Sequence, residues 1–286
     1  MNDTMLDIFR ARAERICQEA VQLLRDFSGM CPVNSPGDSV VFICASGNQS
    51  WTKMPAEGKR LQVDLLPQLA RFSEVLQVLT KALPRSARSD LKRALKTMRE
   101  AIEQNGTTWW KSRDEACQGF QELTSQIIGI LDEYYGAPTS KVIVIPDTNA
   151  LLAHTDIESW RFGNVSSFTI LMTPTILAEL DNHKINHRNP DVKDKASALI
   201  RRMKEYRRRG SLQDGVAIVK DRVSLQAIAQ EPVMSETLSW FDRNNADDRF
   251  LATALEAIQG NLGARIFIVT FDINMQNKAE FAGIPF

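Results

Sequence analysis

The chain has 286 residues, of which 43% are hydrophobic and 24% are charged. This length allows one large or two ordinary domains, and the composition excludes a disordered chain. Its 35 basic and 35 acidic side chains balance, so overall charge gives no general affinity for polyanions. The first 27 residues carry charges throughout, which predicts neither a signal peptide nor a membrane span. We therefore expect a cytoplasmic protein.

The spacing of cysteine and histidine gives little support for a zinc or redox site. No two cysteines have the short paired spacing of such sites, so we expect reduced thiols. His183 and His187 are four residues apart, but no third ligand of the usual pattern accompanies them. The four cysteines all lie in the first half, at Cys17, Cys31, Cys44 and Cys117.

Helical periodicity dominates residues 1–140. Apolar residues recur at helical spacing over residues 6–27, and further helices are predicted over 61–83, 89–104 and 109–135. Between the first two, residues 39–54 predict a β-hairpin around a Ser-Gly-Asn turn. The region matches no motif, so we expect a mainly helical domain that selects a substrate or a protein partner.

The pattern changes after the segment "YYGAPTSK", where Gly136 and Pro138 end a helix. Strand-like runs at 142–145, 168–172, 216–219 and 266–270 then alternate with helical segments. This alternation predicts an α/β domain over residues 141–286, with right-handed crossovers and a central parallel sheet. The runs are almost wholly apolar, which indicates a sheet covered by helices on both faces.

Acidic residues follow or lie near the ends of these apolar runs. Asp147 comes directly after "VIVIP", and Asp272 comes directly after "RIFIVTF". Glu179 lies in "TPTILAELD", and Asp247 and Asp248 lie in "NADDRFLATALEA". In an open parallel sheet, functional groups collect beyond the carboxyl ends of the strands. We therefore expect these acids to converge.

Clustered carboxylates repel one another, so they either raise one another's pKa or bind cations. Oxygen ligands without cysteine or a positioned histidine favour hard ions, Mg²⁺ or Mn²⁺. Such ions complete their shells with water and substrate phosphate, and they activate water for phosphodiester hydrolysis. The acids therefore indicate metal-dependent phosphoryl transfer to water.

Each acid also has a structural interpretation. Asp147 and Asp272 precede helical segments and could act as N-caps, and Asp247 and Asp248 open a helix whose dipole favours them. Glu179 could lie on an exposed helical face. A phosphatase with an aspartyl nucleophile is disfavoured, because Asn149 stands where its second aspartate is required. The joint placement of the acids favours a site over five separate structural roles.

Four segments of residues 141–286 together resemble the motifs of the PIN domain family of metal-dependent nucleases. They are "PDTNALL", "PTILAELD", "ADDRFLATAL" and "IVTFDINMQNKA", in that order. The resemblance implies a three-layer α/β/α domain and nucleolytic cleavage, usually of RNA.

The resemblance implies a catalytic and metal-binding role for one acid from each motif. Asp147 matches the first motif, Glu179 the second and Asp272 the fourth. For the third motif we prefer Asp248, because "Leu-Ala" stands three and four residues after it. Asp247 is then an accessory ligand or a cap.

Two further polar positions match the family. Asn149 and Thr270 correspond to residues that help to orient the acids or bound waters.

A basic stretch lies between the second and third motifs. Residues 184–209 hold ten Lys or Arg and only three acids. Helical spacing predicts an apolar face and an outward face, the latter suited to contacts with the nucleic-acid backbone. A solvated helical face is the structural alternative. The apolar face consists of Ala196, Leu199, Ile200 and Met203, and the outward face of Arg201, Lys204 and Arg208.

The sequence thus predicts a ribonuclease that uses Mg²⁺ or Mn²⁺ and acts on nucleic acid. Two alternatives stay open: a catalytically silent PIN-fold module that binds nucleic acid or protein, and a DNA structure-specific nuclease. The large helical half disfavours a stand-alone toxin. The sequence leaves open whether cleavage is endonucleolytic and whether the chain forms a homo-oligomer.

Overall fold

A computed structural model describes residues 3–32, 49–136 and 139–286. The chain forms two compact units, Leu6–Gly136 and Ala137–Phe286, and the start of the chain up to Met5 belongs to the second. Cys44 and residues 39–48 of the predicted hairpin lie outside the described residues. Within the described residues, no helix is long and apolar enough to cross a membrane.

The first unit is mainly helical, as predicted. Its helices are α1 (Met5–Gln22), α2 (Ala56–Leu79), α3 (Arg85–Glu103) and α4 (Arg113–Tyr135), and a π-helical turn, Leu23–Phe27, continues α1. Three short strands, β1 (Met30–Pro32), β2 (Gln49–Trp51) and β3 (Thr107–Thr108), form an antiparallel sheet with β2 in the centre. Strand β2 lies in the described part of the predicted hairpin. It pairs with β1 and β3, which both lie outside the predicted hairpin range.

The helices of the first unit begin and end at residues suited to those positions. The Ser112 hydroxyl accepts a hydrogen bond from the Glu115 amide and caps α4. Pro84 precedes α3, and Gln104, with a φ of 52°, ends it. Burial of Leu91 in α3 and Phe120 in α4 shows that each helix buries an apolar stripe.

The second unit alternates strands and helices. In chain order it contains β4 (Val142–Pro146), α5 (Thr148–Ala153), β5 (Phe168–Met172), α6 (Pro174–Asn186), α7 (Pro190–Arg209), β6 (Val216–Val219), β7 (Val223–Ala227), α8 (Ala246–Gln259), β8 (Arg265–Val269) and α9 (Ile273–Ala282). Two 3₁₀ turns, Ile157–Ser159 and Met234–Glu236, lie between these elements.

The sheet of the second unit confirms the predicted α/β class. Its order is β6-β7-β5-β4-β8, and the four strands from β7 to β8 are parallel. Every residue of β4, the strand between β5 and β8, is buried, as expected for a strand covered on both faces.

One strand escaped the sequence prediction, and one edge of the sheet is antiparallel. Strand β7 reads "VSLQA", so its polar residues interrupt the apolar run that marks the other strands. The polar residue Ser224 shares a 2.8 Å hydrogen bond with Thr169 of β5. Asp221, with a φ of 57°, lies in the tight connection that returns the chain from β6 to β7.

The topology fixes the position of the functional edge. β4 pairs with β5 on one side and with β8 on the other, so the carboxyl ends of these three strands are neighbours. From these ends the chain enters α5, α6 and α9. Side chains at the starts of those helices therefore face a common region.

Two glycines of α4 provide a test of the packing in the first unit. A Cβ added at Gly119 would lie 2.6 Å from Nε1 of the buried Trp110, whereas a Cβ at Gly129 would have nothing within 4 Å. Gly129→Ala should raise the free energy of unfolding by about 0.5–1 kcal/mol through helix propensity. Gly119→Ala should lower it by about 1–3 kcal/mol through overpacking. Urea unfolding measures both, and equal stabilisation by the two variants would contradict the contact with Trp110.

Candidate functional site

A cavity of about 390 Å³ lies beyond the carboxyl ends of the parallel strands. Its acidic lining residues come from or adjoin four helices: Asp147 before α5, Glu179 on α6, Asp247 on α8 and Asp272 before α9. The structure thus brings together Asp147, Glu179 and Asp272 of the predicted site, and it adds Asp247.

Asp147 is the most enclosed of these four acids. Its side chain follows β4 directly and caps α5, because Oδ1 accepts a 2.6 Å hydrogen bond from the Ala150 amide. Oδ2 accepts a hydrogen bond from the Thr270 hydroxyl. Burial raises the pKa of Asp147, the two hydrogen bonds oppose this effect, and the charges of Asp272 and Asp247 raise the pKa further. A cation in the cavity would relieve both unfavourable effects.

Thr270 connects the segments that carry Asp147 and Asp272. Its hydroxyl donates to Asp147 and accepts a 3.0 Å hydrogen bond from the Asp272 amide. Asp272 in turn caps α9, since its Oδ1 accepts a 2.8 Å hydrogen bond from the Asn274 amide. For Asp147 and Asp272, capping a helix and lining the cavity are therefore compatible roles.

Glu179 reaches the cavity from α6. Thr173 caps this helix by accepting a hydrogen bond from the Ile176 amide. The buried hydroxyl of Thr148 donates to Glu179 Oε2 at 2.5 Å. Sequence reasoning missed Thr148, although its place immediately after Asp147 was the available signal.

The two adjacent aspartates at the start of α8 have different surroundings. Asn245 caps the helix and accepts hydrogen bonds from the amides of both residues. Asp248 is 5% exposed, and its carboxylate accepts from the Asp242 amide at 2.9 Å and from Lys278 Nζ at 2.7 Å. The Asp247 side chain is 40% exposed and lines the cavity.

The structure therefore places Asp247 on the cavity and Asp248 beneath the surface, and the sequence-based preference for Asp248 over Asp247 stays a prediction. Consecutive residues of a helix point about 100° apart, and here Asp247 lines the cavity whereas Asp248 is buried. The "Leu-Ala" spacing identified the helix, but it did not determine which acid points inward. Sequence reasoning also missed Lys278. Its Nζ forms ion pairs with Asp248 Oδ1 at 2.7 Å and with Asp247 Oδ2 at 3.7 Å.

The donor chemistry of the cavity fits a hard ion that keeps part of its water shell. Among the described residues, no three or more His, Cys, Asp and Glu side chains are grouped as a metal-enclosing set. Mg²⁺ does not require such a set, because it is commonly held by one or two carboxylates together with waters and substrate phosphates. Asp147, Glu179, Asp247 and Asp272 supply the oxygen atoms that such an ion prefers.

Other polar side chains complete the lining of the cavity. Asn149, a predicted accessory residue, is exposed at its edge. Asn182 and His183 line it from α6, and the His183 ring lies 5.0 Å from that of His187. His183 therefore faces the acids rather than the solvent alone.

An exposed apolar rim flanks Asp272. Phe271 is 62% exposed and Ile273 is 64% exposed, and the His154 ring lies 6.1 Å from that of Phe271. Two large apolar side chains are thus exposed on either side of Asp272, which itself lines the cavity. The sequence signal was the position of Phe271 directly before an acid of the fourth motif.

The basic helix α7 has the predicted two faces. The structure exposes Arg201, Lys204 and Arg208, and it buries Ala196, Leu199, Ile200 and Met203. The exposed cations remain candidates for contacts with a nucleic-acid backbone.

The contrast between Asp247 and Asp248 can be tested by stability. Asp248→Ala leaves the Lys278 ammonium group and the Asp242 amide without their partner, so the free energy of unfolding should fall by about 1–3 kcal/mol. Asp247→Ala removes a half-exposed charge and should change it by about 0.5 kcal/mol or less. Urea unfolding in a metal chelator measures both. A larger loss of unfolding free energy for Asp247→Ala than for Asp248→Ala would contradict the buried position of Asp248 and the exposed position of Asp247.

Comparison with known proteins agrees with this geometry. Neither the curated proteins nor the solved structures compared with the chain gave a match. A family model described as a PIN domain matches residues 144–286, half of the chain. This fold is of the nuclease type, and its general class of partner is nucleic acid. The match and the five-stranded α/β fold together show that the chain belongs to the PIN domain family, as its four motifs predicted.

Proposed function

We propose that this chain is a ribonuclease that depends on Mg²⁺ or Mn²⁺ and hydrolyses phosphodiester bonds. The observation that carries the proposal is the set of four carboxylates, Asp147, Glu179, Asp247 and Asp272, on one cavity at the carboxyl edge of the sheet. Asp247 takes the third position in this proposal, because it lines the cavity whereas Asp248 is buried and accepts a hydrogen bond from Lys278.

The four acids of the cavity have different roles in the proposed hydrolysis. Asp147 and Asp272 are the principal ligands, since hydrogen bonds of Thr270 hold both segments in place. Glu179 and Asp247 would orient the attacking water, one of the two carboxylates would accept its proton, and the Thr148 hydroxyl holds Glu179 by a hydrogen bond. A bound ion lowers the pKa of water and offsets the negative charge of the phosphate.

A silent binding module explains the cavity less well. Four carboxylates without a cation repel a phosphate backbone, and burial makes the ionised form of Asp147 unfavourable. A surface selected only for binding would gain affinity by replacing these acids. A bound divalent cation would offset part of this negative charge and offer a direct contact to a phosphodiester oxygen.

The surroundings of the cavity support a single-stranded substrate. Phe271 presents an exposed ring at the rim, with His154 beside it, and unpaired bases stack on such side chains. Exposed Arg201, Lys204 and Arg208 on α7 supply backbone contacts without sequence choice. The choice of RNA over DNA rests on the family resemblance.

The metal-dependent reaction gives the first test. Purified wild-type protein should cleave a labelled single-stranded RNA in Mn²⁺ or Mg²⁺, and a chelator should stop cleavage. Asp147→Asn and Asp247→Asn should each lower the rate by about 100-fold or more, because each removes a charge at the ion. Asp248→Asn, the adjacent control, should retain more activity than Asp247→Asn. Initial rates of product formation measure all four proteins.

Thermal unfolding separates the rival interpretations of that experiment. Ions that bind only the folded state raise the melting temperature with concentration, so wild type should shift in Mg²⁺ or Mn²⁺ and Asp147→Asn should shift much less. Absence of both cleavage and a metal shift would favour the silent module. Cleavage confined to branched DNA would favour the structure-specific nuclease. Loss of activity in Asp248→Asn alone would return the third position to Asp248.

The aromatic rim gives a separate prediction. Phe271→Ala should weaken the binding of single-stranded RNA by about tenfold, because one stacked base contributes about 1–3 kcal/mol. Phe271→Trp should preserve binding, and Phe286→Ala, which removes another exposed ring, should leave it unchanged. Fluorescence anisotropy without divalent ions measures affinity without cleavage. Equal losses for Phe271→Ala and Phe286→Ala would contradict the stacking role.

A further inference from the structure

The charges of the first unit are divided unequally among its helices. α1 and α2 each carry three basic and three acidic residues, whereas α4 carries one basic and five acidic residues. α3 carries six basic and three acidic residues, and two of its acids, Glu100 and Glu103, lie in the last turn, so residues 85–99 contain only one acid, Asp90. The balance of the whole region therefore conceals one strongly basic helix.

Five of these cations lie on one side of α3. Arg85, Arg88, Lys92, Lys96 and Arg99 are spaced three or four residues apart, which places them in a row along the helix. All five are exposed. We call this row the α3 basic face. At 1.5 Å per residue it extends about 21 Å.

The fold of α3 does not require this face. The helix packs through its apolar side, where Leu91, Leu95 and Met98 are buried. Arg85 and Arg88 lie in the first turn, where the helix dipole favours acids and disfavours cations, and this turn contains no acid. Their placement therefore works against helix stability, so a contribution to folding does not explain it.

The cations of the α3 basic face are available to a partner. Lys96 pairs with Glu100 at 3.7 Å and Arg99 pairs with Glu103 at 2.6 Å, in exposed contacts of the kind that contribute about 0–1 kcal/mol. Arg85, Arg88 and Lys92 form no ion pair with any carboxylate that the structure describes. The first half of the face is thus unneutralised.

We propose that the α3 basic face binds the phosphate backbone of single-stranded RNA. A straight row of cations about 21 Å long complements a chain of regularly repeated anions, whereas a single small anion would occupy only one or two of its positions. Contacts of this kind supply affinity without sequence choice. The same chain carries a PIN domain, whose general class of partner is nucleic acid. The choice of single-stranded RNA rests on the proposed function, whereas binding at α3 itself requires no metal and no cleavage.

The test compares two full-length variants that lose the same charge. The triple variant Arg85→Gln, Arg88→Gln and Lys92→Gln removes the unpaired half of the face. The control Lys53→Gln, Lys59→Gln and Arg60→Gln removes three exposed cations elsewhere in the same unit. Fluorescence anisotropy with a labelled 30-nucleotide RNA of mixed sequence, in EDTA and at 50–200 mM NaCl, gives the affinity and its salt dependence. Circular dichroism confirms that both variants retain their helices.

The slope of log K for RNA binding against the logarithm of the salt concentration is the measurement that tests the proposal. Each phosphate contact to a single strand contributes about 0.7 to this slope, so loss of three contacts should reduce its magnitude by about 2. The α3 variant should also bind about tenfold more weakly at 50 mM NaCl, with the control close to wild type. An unchanged slope in the α3 variant, or an equal change in both variants, overturns the proposal.

A competition experiment separates RNA from an acidic protein partner. Unlabelled RNA should displace the labelled RNA far more effectively than poly-glutamate of equal total charge. Displacement by poly-glutamate at equal concentration would assign the face to acidic polypeptides and overturn the assignment to nucleic acid. Because no metal is present, loss of cleavage in other experiments has no bearing on this result.

Discussion

The hydrogen bond from the Thr270 hydroxyl to Asp147 is the contact on which the candidate site most depends. It joins the segments after β4 and β8, which pair in parallel from Val142 and Arg265 to Pro146 and Val269. The same hydroxyl accepts the Asp272 amide. Two residues 125 positions apart in sequence are thus fixed side by side by one strand pairing and one threonine. The other two acids of the cavity, Glu179 and Asp247, reach it from α6 and α8.

The acids beside this contact differ in how far their negative charge is compensated by neighbouring groups. Asp248 is buried, and Lys278 from α9 neutralises it, so its charge is compensated within the protein. Asp147 is buried with two hydroxyl or amide donors but without a cation, and its pKa is raised as a result. The fold therefore contains one buried acid that Lys278 compensates closely and one, Asp147, that has only hydroxyl and amide donors, while Asp247 lies 3.7 Å from the same lysine. Strain of this kind is typical of functional sites, where a ligand supplies the missing interaction.

The sequence predicted those features that depend on strand ends and helical periodicity. Asp147 and Asp272 were identifiable because each follows an apolar strand, and the buried face of α7 followed from spacing alone. The surroundings of the third acid could not be predicted in the same way, since Asp247 and Asp248 are adjacent in sequence and their different distances to Lys278 of α9 are long-range contacts. Strand β7 was missed for a similar reason, because its polar residues are satisfied by a partner strand that the sequence does not reveal. The local sequence pattern thus predicts the helices, most strands and their ends. The surroundings of individual side chains depend on contacts between residues distant in sequence.

Affinity and chemistry make opposite demands on charge in a nuclease of this kind. In the proposed reaction the cavity would use its carboxylates to hold a cation, yet without the cation the same carboxylates repel the phosphates of the substrate. Attraction for the nucleic acid must therefore come from cations outside the cavity. The chain has a neutral total charge, so such cations can only be gathered by segregation, as on the exposed side of α7 and on the α3 basic face. The acidic α4 and the acid-lined cavity are the counterparts of that segregation. Zero net charge here reflects opposite charges kept apart, and it is compatible with strong local binding of a polyanion.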